Sequence, residues 1–219
     1  MTLQAQDGAR TDGRRRLPPG QRLTEGWPIL HYGSVPRIDK ATWEFRIFGL
    51  VENEITLNWD QFMALEQAQV RSDIHCVTTW SKYDNDWDGV RIRDLLALAR
   101  PLPEAKHVMF HSYGGYTTNV PIEECSGDLD LIAYNHQGRP LDVEHGGPMR
   151  GVIPDLYFWK SAKWVREQPA SFFPVDRRPL RDLMRDQPRP ASPSAIHDAE
   201  VVRAAASQPA GEPEEIVFI

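Results

Sequence analysis

The apolar residues of this chain come in short, closed segments, and that limits it to a fold of many small elements. From Trp27 to Val165 each apolar stretch is brief and is cut off by glycine, proline or a polar turn. "ATWEFRIFGLV" sets the pattern: Trp43, Phe45 and Ile47 fall on one face and Glu44, Arg46 and Phe48 on the other, the alternation of a half-buried strand. "LNWDQFMALEQ" offers Asn58 or Asp60 as a cap ahead of Phe62, Met63 and Leu65 at helical spacing. "VRSDIHCV" predicts a strand that carries Cys76 at its end, and "GVRIRDLLALA" starts extended and becomes a short helix closed by Pro101. "HVMFHSY" is an extended run up to the Gly114-Gly115 turn, "YTTNVPIEECS" leads into a short helix, and "DLDLIAYNHQG" is a strand ending in a turn. The pattern predicts an α+β domain over residues 26–166, mixed β-sheets with short helices between the strands.

The flanks read differently. Residues 1–25 are polar and predict a flexible arm. Arg14-Arg15-Arg16 is followed by Pro-Pro-Gly rather than by an apolar core, so it reads as a solvated basic arm and not as a twin-arginine export signal. Beyond Val165, eight of the 18 prolines fall in residues 168–219, and "RDQPRPASPSA" and "AAASQPAGEPEE" predict a largely disordered tail over 167–219. Within it "PLRDLMRD" could form a short helix, and the apolar end "EEIVFI" could add a strand edge to this domain or to a partner. The net charge of −6 gives no reason to expect nucleic acid. Two cysteines without a CxxC make no disulfide framework. No apolar run approaches the ~20 residues of a membrane span, and as written the chain is expected to stay in the cytoplasm.

Chemistry concentrates in "DIHCVTTWSKYDNDWDGV", which leaves three readings of Cys76: buried small hydrophobe, nucleophile or metal ligand. His75 is poorly placed as a base, because neighbours on a strand point to opposite faces. His31 or His145 could serve instead in three dimensions, so a cysteine hydrolase stays open. Cys125 reads as a buried small residue. His107 and His111 resemble a metal pair only if helical; on a strand they lie ~13 Å apart. His136 reads as a solvated turn residue. "HGGPMRGVIPDLYFWKSAKW" places Arg150, Lys160 and Lys163 after a glycine-proline loop, and "YGGYTTN" supplies a turn with hydroxyls and an amide. Together these suit a large polar ligand with an anionic end, to whose metal a soft thiolate could add one bond.

"HYGSVPRIDKATWEFRIFGLVE", "DIHCVTTWSKYDNDWDGVRIRDLL", "HSYGGYTTNVPIEE" and "HGGPMRGVIPDLYFWKSAKWVRE" occur in this order, and together they resemble the sulfite oxidase-type molybdopterin-binding domain, in particular its small bacterial stand-alone members. The resemblance runs from about Trp27 to Val165. It implies the sulfite oxidase-like fold, a molybdenum–molybdopterin cofactor, and two-electron oxo transfer to or from a small molecule. Cys76 resembles the family's protein ligand to molybdenum. His31, Tyr32, Ser34 and Val35 resemble the first pterin-contacting loop, and Ser112 the hydroxyl near the cofactor. His145 and Arg150 resemble the polar residue and arginine toward the pterin phosphate, while Ser161, Ala162 and Lys163 resemble the backbone-and-lysine clamp. Trp80, Tyr83 and Trp87 could wall the pocket, with Tyr83 and Lys82 beside the substrate.

Two departures shape what the resemblance implies. Sulfite oxidases carry an arginine-rich stretch after the cysteine, whereas this chain reads "VTTWSKYDND"; the substrate expected is therefore a small S- or N-oxide, or an oxyanion held by Lys82. The family's usual ending gives way to the proline-rich tail, which also motivates an alternative, a non-catalytic binding module that kept the fold. No haem or flavin motif is present, so the chain is expected to exchange electrons with a separate haem, flavin or quinone-linked partner. Without room for the dimerisation domain of larger relatives, a monomer is expected.

Overall fold

Strand alternation and tight turns build two β-sheets, which the computed structural model describes over residues 16–31 and 33–165 and, for the backbone alone, 215–218. The described residues fall in one compact unit; residues 166–214 lie outside them, and with these the short helix expected at "PLRDLMRD". The first sheet holds β1 (Arg22–Leu23), β4 (Ala68–His75), β5 (Trp80–Arg91), β8 (Leu131–His136), β9 (Arg139–Pro140) and β10 (Arg150–Val152). Its path is β1-β5-β8-β10, with β4 paired to β5 and β9 to β8. The second runs β3 (Ile55–Asn58), β2 (Glu44–Gly49), β11 (Glu215–Phe218), β6 (His107–His111), β7 (Thr117–Pro121).

Local chemistry sets the boundaries. In β2, Phe45 and Ile47 are fully buried and Glu44 is exposed, as the alternation requires. Helix α1 (Trp59–Met63) starts at Asn58, whose side chain accepts from the Gln61 N–H while Gln61 caps back. Helix α2 (Ile92–Ala99) buries Ile92, Leu95, Leu96 and Ala99 and stops at Arg100, in the left-handed conformation, ahead of Pro101. Gly89 is where β5 crosses closest to β8: a Cβ there would lie 2.3 Å from the Ile132 carbonyl oxygen, at a register shift between the two strands. A core around Trp43, Phe45, Phe62, Leu95 and Phe110 lies against the second sheet, and another around Ile74, Trp80, Trp87 and Leu131 belongs to the first.

Two expectations about the flanks change. Residues 16–25 are not a free arm. β1 pairs in parallel with β5, and Arg16 hydrogen-bonds Asp73 at 2.7 and 2.8 Å and Asp84 at 2.6 Å, its guanidinium lying 4.0 Å from the Tyr83 ring. Backbone pairing and one arginine hold this segment, neither of which leaves a hydrophobic pattern. At the other end, Glu215–Phe218 is not an edge: β11 is antiparallel to β2 and parallel to β6, in the middle of the second sheet.

Candidate functional site

The β4–β5 connection is a tight turn that presents Cys76. The Cys76 N–H donates to the Trp80 carbonyl at 2.8 Å, and the Thr79 N–H donates to the Cys76 carbonyl at 3.0 Å. Closing the turn puts Thr79 at φ 70°, a left-handed conformation that a β-branched residue rarely adopts. Cys76 is 7% exposed, and its Sγ lies 3.1 Å from the Thr78 hydroxyl. His75 faces the other way, its Nδ1 2.8 Å from Ser81 Oγ, so the alternation argument against a His75–Cys76 pair holds.

The thiol opens on a cavity of about 400 Å³. Its walls come from the turn (Cys76, Val77, Thr78, Trp80), from the strand end and loop that carry Ser112 and Tyr116, and from the stretch Phe158–Trp164 apart from Lys160, whose ammonium donates to the Asn119 carbonyl at 2.7 Å. Arg150 forms the floor. It is 1% exposed, and its guanidinium donates to the carbonyls of His145 (2.6 Å), Ser161 (2.8 Å) and Gly151 (3.3 Å), with the Phe158 ring 4.2 Å away. Among the described residues no carboxylate lies within ion-pair reach of it. Burial pulls its pKa down to about 9, which leaves it a cation at neutral pH. Gly146, at φ 105°, lets the chain turn here: a Cβ would lie 3.0 Å from that of Lys163 and 3.1 Å from that of Arg150.

Lys163 reaches the Leu30 carbonyl at 2.7 Å and the Glu144 carbonyl at 2.6 Å; burial, then Arg150, lowers its pKa to about 8. Ser161 Oγ accepts from the Ile153 N–H at 3.0 Å, and the Ala162 carbonyl accepts from the Gly151 N–H at 2.8 Å, so these two wall residues are fixed by β10 and the residue that follows it. Among the described residues, two wall residues carry polar atoms with no hydrogen-bond partner: Ser112 Oγ, on a residue 2% exposed, and Trp80 Nε1, on one 5% exposed. A buried donor left unpaired is costly, so this cavity suits an occupant that supplies acceptors. The lysine and arginine suit one carrying negative charge. Among the described residues no group of three or more His, Cys, Asp or Glu side chains could share a metal ion.

Of the residues expected at the site, Cys76, His31, Ser112, Arg150, Ser161, Ala162 and Lys163 line this one cavity. His145 sits behind the wall: its ring stacks on that of Trp27 at 3.9 Å, and burial, then Lys163 and Arg150, lowers its pKa. Ser34 and Val35 do not line the cavity, and Tyr32 lies outside the described residues. Lys82 and Tyr83 are also off the wall. β5 carries Lys82 past Trp80 to bond Asn85 Oδ1 at 2.7 Å, and Tyr83 is covered by Arg16. His136 is not a solvated turn residue: it packs 4.5 Å from Trp27 and 4.6 Å from Trp87, and burial, with Lys82 and Arg150 nearby, pulls its pKa to about 4. Sequence reasoning missed Trp27, Pro28 and Leu30, which complete the wall from the N-terminal segment, and Tyr116 and Trp159, joined by a 2.6 Å bond from Tyr116 Oη to the Trp159 carbonyl. The signal for Trp27 was a lone tryptophan in a polar, proline-rich stretch.

Comparison with known proteins agrees with this geometry. Residues 32–172 match the model of the oxidoreductase molybdopterin binding domain. The chain is 44% identical over 157 residues to the uncharacterized oxidoreductase YuiH of Bacillus subtilis, covering 71% of this chain and 79% of that protein. It is 31% identical to the nitrate reductase [NADPH] of Fusarium oxysporum over 68% of this chain, but spans only 20% of that protein. It is 29% identical to the protein-methionine-sulfoxide reductase catalytic subunit MsrP of Gluconobacter oxydans, over 57% of this chain and 45% of that one. In fold it matches the sulfane dehydrogenase SoxCD of Paracoccus pantotrophus at a TM-score of 0.57 and 22% identity, over 62% of this chain and 40% of that one. The matched span carries most of the cavity wall, and the chain belongs to the molybdopterin-binding oxidoreductase family.

Proposed function

We propose that this chain binds a molybdenum–molybdopterin cofactor in the cavity beside Cys76 and catalyses two-electron oxo transfer on a small S- or N-oxide. One observation carries the reading: a single thiol, the buried Arg150 and the partly buried Lys163, neither cation with a carboxylate partner among the described residues, line the same cavity. Arg150 and Lys163 would hold the anionic end of the cofactor, since each charge already has carbonyl partners and lacks only an anion. Ser112 Oγ and Trp80 Nε1 would find their missing acceptors on it or on the substrate. Cys76 would be the protein's ligand to the metal, a soft thiolate suited to a centre already bound by sulfur. When bound, the cofactor supplies the redox change; the protein holds it, excludes water with aromatic walls and orients the substrate.

The cavity favours a neutral oxide over an oxyanion, because Lys82, the cation expected to hold an oxyanion, is turned away toward Asn85. Reduction of such an oxide would draw its two electrons from a separate haem, flavin or quinone-linked protein. The test is molybdenum analysis and pterin fluorescence on protein made in a host that builds the cofactor, with Lys163→Met alongside. The reading expects stoichiometric metal and pterin in the wild type and a clear loss in the variant. Protein without either, or a variant with wild-type content, would overturn it.

A further inference from the structure

We propose that Gln21 is a positioning residue for Cys76: its side-chain amide clamps the turn that presents the thiol to the cavity. This rests on the reading of Cys76 as the metal-facing residue. The matched family span begins at residue 32, so the resemblance assigns nothing to Gln21.

The geometry is specific. Gln21 Nε2 donates to the Cys76 carbonyl at 3.0 Å, and Gln21 Oε1 accepts from Ser81 Oγ at 3.1 Å. Ser81 Oγ in turn lies 2.8 Å from His75 Nδ1, and both Ser81 and His75 are buried. One amide therefore bridges the two strand ends that flank the turn. Its orientation follows from its partners: oxygen toward a hydroxyl, NH₂ toward a carbonyl.

The turn needs such a clamp. Thr79 sits at φ 70°, which its β-branched side chain disfavours, and such a conformation persists only where the surroundings over-determine it. Besides the turn's own two backbone bonds, the contacts that hold it come from the N-terminal segment: Gln21 on the Cys76 carbonyl and the Arg22 N–H on the Thr79 carbonyl at 3.0 Å. The Thr24 N–H continues the pairing onto the Ser81 carbonyl at 2.9 Å, and Arg16 fastens the start of the segment to Asp73 and Asp84. Of these, Gln21 alone contacts Cys76 itself, and it does so through a side chain, which substitution can change without breaking backbone pairing. Rotation of the Cys76 peptide would carry Thr78 and the Sγ···Oγ1 contact with it, so fixing that carbonyl fixes where the thiol points.

The test uses Gln21→Glu, which keeps the shape and the acceptor for Ser81 but replaces the donor on the Cys76 carbonyl with an oxygen. In full-length cofactor-free protein, iodoacetamide labelling of Cys76 is followed by peptide mass spectrometry, with buried Cys125 as internal reference. Loss of one ordinary hydrogen bond from the closed turn predicts labelling about fivefold faster, with Cys125 unchanged. In the loaded protein the Mo(V) EPR g-values should shift, which a purely structural loosening elsewhere would not produce. Wild-type labelling in folded Gln21→Glu would overturn the proposal. Should that variant fail to fold, Ser81→Ala, which frees the amide from its orienting partner, must speed Cys76 labelling in the same way, and its failure to do so also overturns the proposal. Faster labelling with an unchanged Mo(V) signal would leave the clamp standing and refute the ligand role of Cys76 instead.

Discussion

Replacing Ser112 with alanine should stabilise the empty protein and weaken the loaded one. Ser112 is 2% exposed and its Oγ has no hydrogen-bond partner among the described residues. Its backbone is fixed independently: the N–H donates to the Tyr116 carbonyl at 3.0 Å and the carbonyl accepts from the Gly115 N–H at 3.1 Å. The substitution therefore removes the hydroxyl and little else. An unpaired buried hydroxyl costs about 1–3 kcal/mol, part of which alanine recovers. A gain of up to about 1 kcal/mol corresponds to a Tm raised by about 2–4 °C in a protein of this size. In the loaded protein the same change deletes a bond worth about 0.5–1.5 kcal/mol. Together the two effects shrink the cofactor's stabilisation by about 0.5–2.5 kcal/mol, roughly 2- to 70-fold in affinity. Differential scanning calorimetry on cofactor-free and loaded samples reads both. Equal destabilisation of both forms would refute the reasoning, since it would mean that the hydroxyl serves the fold and not an occupant.

Two further outcomes follow from charge and topology. Asp130 is 5% exposed; burial first, then Asp155 and Glu124, raises its pKa from 3.8 to about 6, against a bond from the Gly127 N–H. The folded state thus holds the proton more tightly than the unfolded one, and stability falls as pH rises from about 4 to about 6, by at most about 3 kcal/mol. Asp130→Asn keeps an acceptor for Gly127 and should flatten that slope and gain about 1–3 kcal/mol at pH 7.5; urea melts across the window check it, and an unchanged slope would count against the buried-carboxyl account. Deleting residues 215–219 should lower Tm by about 5–15 °C and promote aggregation, because it opens β2 and β6 as facing sheet edges; a truncated chain that melts with the full one would show that β11 contributes nothing.

What the sequence made legible was whatever left a local pattern. The β2 alternation, the Asn58 cap, the Pro101 stop and the strand ending at Cys76 all follow from short-range rules. The cavity's charged and small residues were reached through the ordered motifs rather than through periodicity. What stayed hidden depends on non-local partners. β1 is two residues long and joins its sheet through backbone bonds, so no alternation marks it. Gln21 reads as an arm residue, and Trp27 as no more than the start of the domain, because their partners, Cys76 and His145, are more than fifty residues away. β11 follows a long proline-rich stretch, and an apolar tetrapeptide does not say which strands it will join. Lys82 and Tyr83 look well placed beside the cysteine in sequence, but the strand carries them off the wall toward Asn85 and Arg16.

The central claim is that Cys76 binds the metal of a cofactor held elsewhere by Arg150, Lys163 and the Phe158–Trp164 wall. Molybdenum K-edge X-ray absorption on loaded wild type and Cys76→Ala tests it directly. The account predicts that the variant keeps most of its pterin and loses oxo-transfer turnover, and that its spectrum fits one sulfur fewer around the metal. An identical sulfur shell in both proteins, or full turnover in the variant, would contradict it.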